Sequence, residues 1–66
     1  MSDTDALMTA TEVAALLQVT VEWVWDQSRR GEMPSVKLGK YRRFRRSAIL
    51  EWVEQKEKRT YVRRSV

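Results

Sequence analysis

Two short helical segments, each opening on a hydroxyl cap and set three residues apart, constrain this chain more than any other feature. Thr9-Ala10-Thr11-Glu12 spells a capping box, in which a hydroxyl and a carboxylate three residues on satisfy each other's backbone N–H groups. Val13, Ala14, Leu16 and Leu17 follow at one-sided helical spacing, which predicts a helix over 10–17. Met8 stands just ahead of the cap, where a hydrophobic staple belongs. Gln18-Val19-Thr20 breaks the pattern, and Thr20 is a good cap for a second helix from Val21 to Arg30. Gly31 stops that helix, and Arg29 and Arg30 in its last turn complement the helix dipole. Two helices joined by about three residues form the helix-turn-helix pattern.

Pro34 closes the helical region. Val36-Lys37-Leu38 then alternates apolar and basic, as a half-buried strand does, and Gly39 marks a turn. The stretch KLGKYRRFRR, residues 37–46, carries six cations and no acid. Its register has two solutions. A two-residue turn at Gly39-Lys40 pairs Leu38 with Tyr41 and sends Phe44 to the Lys37 face. A three-residue loop, Gly39 to Tyr41, puts Val36, Leu38, Arg42 and Phe44 on one face and Lys37, Arg43 and Arg45 on the other. A slip of one residue moves every side chain to the opposite face. Burial of three apolar residues selects the three-residue loop, with Arg42 as its one inward misfit. Matched parity of Val36, Leu38 and Phe44 argues for a folded basic hairpin rather than a loose tag. Ser47 to Lys58 reads as a third helix with Ile49, Trp52, Val53 and Lys56 in one stripe. The expectation is a flexible N-terminus over 1–7, one domain over 8–58 and a basic tail over 59–66. The fold class is small α+β: a winged helix-turn-helix of about three helices and one β-hairpin wing.

The 66 residues include no Cys and no His, which removes disulfides and the usual zinc-ligand sets. It also removes the usual groups for acid-base or nucleophilic work near neutral pH. There is no Gly-rich phosphate loop, and so short a chain does not wall off a pocket of the usual size. No enzyme, metal or cofactor is expected. Charge is split by position. Residues 1–33 hold six acids and two bases, and residues 34–66 hold eleven bases and three acids. A basic half on a small domain points to a polyanion, duplex nucleic acid above all. There is no apolar run of membrane-spanning length and no secretory pattern at the N-terminus, and a cytoplasmic location is expected.

The run MTATEVAALLQVTVEWVWDQSRRGEMPSVKLGKYRRFRRSAILEWVEQ, residues 8–55, resembles the excisionase-like, MerR-type winged helix-turn-helix DNA-binding domains. The matching pieces are the T-x-x-E cap with its Ala/Leu-rich helix, V-T opening the second helix, R-R-G-E-M-P closing it, V-K-L-G-K as first strand and I-L-E-W-V in the last helix. The chain departs from the family's usual residues at Trp23, Asp26, Gln27, Ser28 and Arg42. The resemblance implies a phage or plasmid excisionase (a recombination directionality factor) or a small AlpA-like regulator, encoded by a bacterium or phage. It implies a second helix in the major groove and a wing on the adjacent minor groove or backbone. Excisionases of this kind bind repeated sites cooperatively and bend DNA so that an integrase excises the prophage. Partners implied are double-stranded DNA, other copies of the chain and an integrase.

Candidate recognition-helix residues are Thr20, Glu22, Trp23, Trp25, Asp26, Arg29 and Arg30; Val21, Val24 and Ser28 look inward. Carboxylates at 22 and 26 suit cytosine N4, and an indole suits a thymine methyl. The competing reading makes Asp26 a helix partner of Arg29 or Arg30 and Trp25 a core residue; Trp52 reads as core. Candidate wing residues are Lys37, Lys40, Tyr41, Arg42, Arg43, Arg45 and Arg46, placed for phosphates or a narrow minor groove. Arg59, Arg63 and Arg64 in the tail fit either further phosphate contacts or a solubilising end. Two rival functions share these residues. One is a transcriptional regulator of the same fold. The other is a protein-interaction adaptor, built on the tryptophans and the split charge, with secondary DNA binding.

Overall fold

The structure is a computed structural model and describes residues 6–64, with side chains through Arg59. Its elements run β1 (Leu7–Met8), α1 (Ala10–Leu17), α2 (Val21–Arg29), β2 (Val36–Leu38), β3 (Tyr41–Arg45) and α3 (Arg46–Arg64). Three helices and an antiparallel sheet of order β1-β3-β2, with a hairpin wing, make it a winged helix-turn-helix.

Both helix starts follow from local hydrogen bonding. Thr9 Oγ1 accepts from Glu12 N at 3.2 Å, and Glu12 Oε1 accepts from Thr9 N at 2.9 Å. Thr20 Oγ1 accepts from Trp23 N at 3.1 Å. Both helix ends are Schellman motifs. After α2, Glu32 N donates to Gln27 O (2.9 Å) and Gly31 N to Ser28 O (3.1 Å), with Gly31 at φ 77°. After α1, Val19 N donates to Ala14 O (3.0 Å) and Gln18 N to Ala15 O (3.3 Å). There the left-handed position falls on Gln18, at φ 59° and ψ 48°. A residue with a Cβ is strained in that region, so the turn between α1 and α2 holds a local cost that glycine relieves. Gln18→Gly is expected to stabilise the domain by about 0.5–1 kcal/mol, and Gly31→Ala to destabilise it by about 1 kcal/mol. Urea titration of the two variants checks the opposite signs.

The core is Ala10, Val13, Ala14, Val24, Met33, Phe44 and Ile49. Met8, Leu16, Leu17, Val21, Trp25 and Trp52 pack against it, partly buried. Ser28 is the one buried polar residue among those described, and its hydroxyl donates to Trp25 O at 3.0 Å, the back-bond that lets a hydroxyl sit inside a helix.

Four expectations are corrected. The hairpin uses the two-residue turn: Leu38 pairs with Tyr41, Lys37 with Arg42 and Val36 with Arg43. Positive φ falls on Gly39 (63°) and not on Lys40, the sign pattern of a type II′ turn, whose twist matches a tight hairpin. Phe44 still reaches the core, because β1 pairs along the other edge of β3 and sets Met8 opposite Phe44. Leu7, expected in a flexible N-terminus, is part of that strand and pairs with Arg45. The sheet therefore has three strands rather than the hairpin alone. The third helix, expected to end at Lys58 before a loose tail, continues through Arg64. The side chains of Arg63 and Arg64, and all of residues 1–5 and 65–66, lie outside the described residues.

Candidate DNA-binding surface

α2 turns Val24 and Ser28 inward and leaves Glu22, Trp23, Arg29 and Arg30 exposed, with Asp26 half-buried. Thr20 at its cap is exposed, its hydroxyl already engaged by Trp23 N. Asp26 Oδ2 pairs with Arg30 Nε at 3.4 Å. That pair is a surface contact worth little to stability, but it holds Arg30 against its own helix. Trp25 is half-buried against the core, the inward of its two expected placements. Trp23 is 39% exposed, yet it leans on α3: its ring centroid lies 6.4 Å from that of Trp52 at 52°. These two rings, with Leu17, Val19, Gln27, Val53 and Lys56, line an open apolar groove between the helix-turn-helix and α3. Trp52 is half-buried there rather than enclosed, with Lys56 Nζ 5.4 Å from its ring centroid.

The wing distributes its cations by register. Val36, Leu38, Tyr41, Arg43 and Arg45 share one face; Lys37, Arg42 and Phe44 share the other. Phe44 covers the core, so its face of the wing carries cations only toward the tip. Arg42 does share the inward face with Phe44, as expected; it is half-buried there and donates from Nη1 to Ser35 Oγ at 3.0 Å. Arg43 Nη1 donates to the Arg42 carbonyl at 3.0 Å. Arg43 Cζ and Lys40 Nζ both stand near the Tyr41 ring, 5.3 and 5.6 Å from its centroid. Lys37, Lys40, Arg45 and Arg46 are exposed. Arg46 opens α3, whose first turn has no acid, so its charge adds to the positive end of the helix dipole. Ser35 and Leu38 were not expected at this surface. Nothing in the sequence marks Ser35 as the partner of Arg42. The glycine at the first turn position marks a type II′ hairpin, and that turn exposes Leu38.

A helix-turn-helix whose second helix has an exposed face and is followed by a basic hairpin is the architecture of a DNA-binding domain. Residues 7–57 match the helix-turn-helix domain family, and the chain belongs to it. Such families bind double-stranded DNA and are typically not enzymes. No curated protein and no solved structure shows a significant match to the chain. Among the described residues no helix is long and apolar enough to cross a membrane.

Proposed function

We propose that the protein is an excisionase: it binds repeated duplex DNA sites in a sequence-selective, cooperative manner, bends the DNA and acts with an integrase. The observation that supports the DNA reading best is the wing, which carries exposed cations on both of its faces. In this reading α2 enters the major groove. Glu22, Asp26 and Arg29 face base edges, Trp23 stands at the margin, and Thr20 and Arg30 lie near the backbone. Lys37, Lys40, Arg42, Arg43, Arg45 and Arg46 take phosphates. The excisionase role rests on the resemblance over residues 8–55. Cooperative binding also needs contacts between proteins. The apolar Trp23–Trp52 groove and the acidic first half opposite the basic second half favour contacts between copies and with an integrase. The protein works where its DNA is, in the cytoplasm of a bacterial host.

The test is a gel-shift titration at two salt concentrations on the region flanking the gene and on random DNA of equal length. A steeply salt-sensitive ladder on the native probe alone is the expected result. A single tight band would favour a transcriptional regulator of the same fold. Equal weak smearing on both probes would reduce the wing to a charge and remove the base-reading role of α2.

A further inference from the structure

The observed register leaves an apolar pair where none is needed for folding. Leu38 and Tyr41 stand directly opposite each other across the Gly39-Lys40 turn, 47% and 53% exposed. They lie on the face of the wing that turns away from Phe44, so neither belongs to the core cluster. Cations surround them: Lys40 and Arg43 flank the Tyr41 ring, and Lys37 lies next in sequence to Leu38 on the opposite face. The wing is thus a blade with positive charge on both faces and an apolar patch at its tip.

That distribution fits a cleft with two negative walls and a floor that is less polar. The minor groove of duplex DNA is such a cleft, with a phosphate strand on each side and base edges between them. It is only about 6 Å wide, too narrow for a two-stranded ribbon, so contact there is left to side chains at the tip. Apolar side chains placed in this way act as wedges that partly unstack a base step and kink the duplex. A lipid surface is the other apolar and anionic partner to weigh. It is flat and presents charge on one side only, so it meets the cations of one face of the wing and not those of both.

We propose that Leu38 and Tyr41 form a minor-groove wedge: they rest on base-pair edges and open one base step, while Lys40 and Arg43 hold the flanking phosphates. The proposal rests on the DNA-binding reading and specifies how the wing serves it. Tyr41, flanked by its two cations, enters already oriented, and Leu38 fills the space beside the ring. The deformation favours flexible pyrimidine–purine steps at a position that α2 does not touch.

The experiment uses the full chain and a duplex selected by it from a random library. Permanganate reactivity of thymines reports unstacking. Wild-type protein is expected to raise the reactivity of one step several-fold at a position offset from the α2 footprint. Leu38→Ala/Tyr41→Ala is expected to abolish that signal and weaken binding roughly 10- to 100-fold, with the salt dependence unchanged because no phosphate contact is lost. Tyr41→Leu keeps a wedge without the aromatic ring and is expected to retain the reactive step. Both residues are exposed, so the variants should melt like wild type, and a melt confirms it. Salt-sensitive binding by wild type with no reactive step, or a double variant equal to wild type, would overturn the wedge and leave the DNA-binding reading standing. Failure of wild type to select any duplex would overturn both. Binding to anionic vesicles that depends on Leu38 and Tyr41, with no reactive step on DNA, would assign the tip to a lipid surface instead.

Discussion

Phe44→Ala is expected to remove a large share of the domain's stability and to lower its urea midpoint sharply. Phe44 is fully buried among Val13, Val24, Met33 and Ile49, and it sits on the strand against which both α1 and α3 pack. Truncating such a ring costs about 3–5 kcal/mol, from lost transfer energy and the cavity left behind. A domain of 66 residues has only about 3–10 kcal/mol in all. The sequence has no cysteine for a disulfide, and no cluster of metal-ligating side chains occurs among the described residues to offset the loss. Leu38→Ala is the matched control: the same hairpin loses an apolar side chain, but one that is 47% exposed. Its expected cost is below about 1 kcal/mol, within the range of surface substitutions and partial burial. Far-ultraviolet circular dichroism and urea titration of both variants measure the contrast. Equal losses would mean that both residues share the buried face, which is the register of the three-residue loop.

Neutralising the exposed wing cations has the opposite profile, a large effect on binding and little on folding. The quadruple variant Lys37→Gln, Lys40→Gln, Arg45→Gln, Arg46→Gln is expected to lower DNA affinity about 10³-fold near physiological salt, and to reduce the slope of log affinity against log salt by about 3–4. Each phosphate contact contributes close to one unit of that slope through counterion release. The loss should be the same on selected and random duplexes, because phosphates carry no sequence. The melting temperature should stay level or rise, since like charges crowd this hairpin and Arg46 opposes the dipole of α3. Titration at several salt concentrations decides it. An unchanged slope would place the phosphates elsewhere, and a loss confined to the selected duplex would make the wing a base reader.

These two expectations show where the sequence was readable and where it was not. The helix-turn-helix was legible to within a residue, because Thr9, Glu12, Thr20 and Gly31 act on backbone groups no more than a few positions away. The inward set of α2 was legible for the same reason, Val24 and Ser28 lying one turn apart. The basic wing was legible as charge, but its two faces were not. Maximising buried apolar area chose the register with Leu38 inside, whereas the chain exposes Leu38 and Tyr41 and buries Phe44 alone. Trp25 had two placements on periodicity, and packing put it against the core. Met33, enclosed at the heart of the domain, carried no signal, since it falls in the loop between Gly31 and Pro34, outside any periodic run.

The sequence by itself determined the caps, the positions of the first two helices, the absence of a covalent staple and the concentration of cations at 37–46. All of these are set by residue type or by contacts within one helical turn. Only the tertiary structure decided the register of β2 on β3, the third strand at Leu7–Met8 and the exposure of the wing tip. These depend on the sign of φ at Gly39 and on a strand arriving from some 37 residues away to cover the other edge of β3. Pairing across that distance covers Phe44 with Met8 rather than with Leu38, while the register of the hairpin divides the wing's cations between two faces.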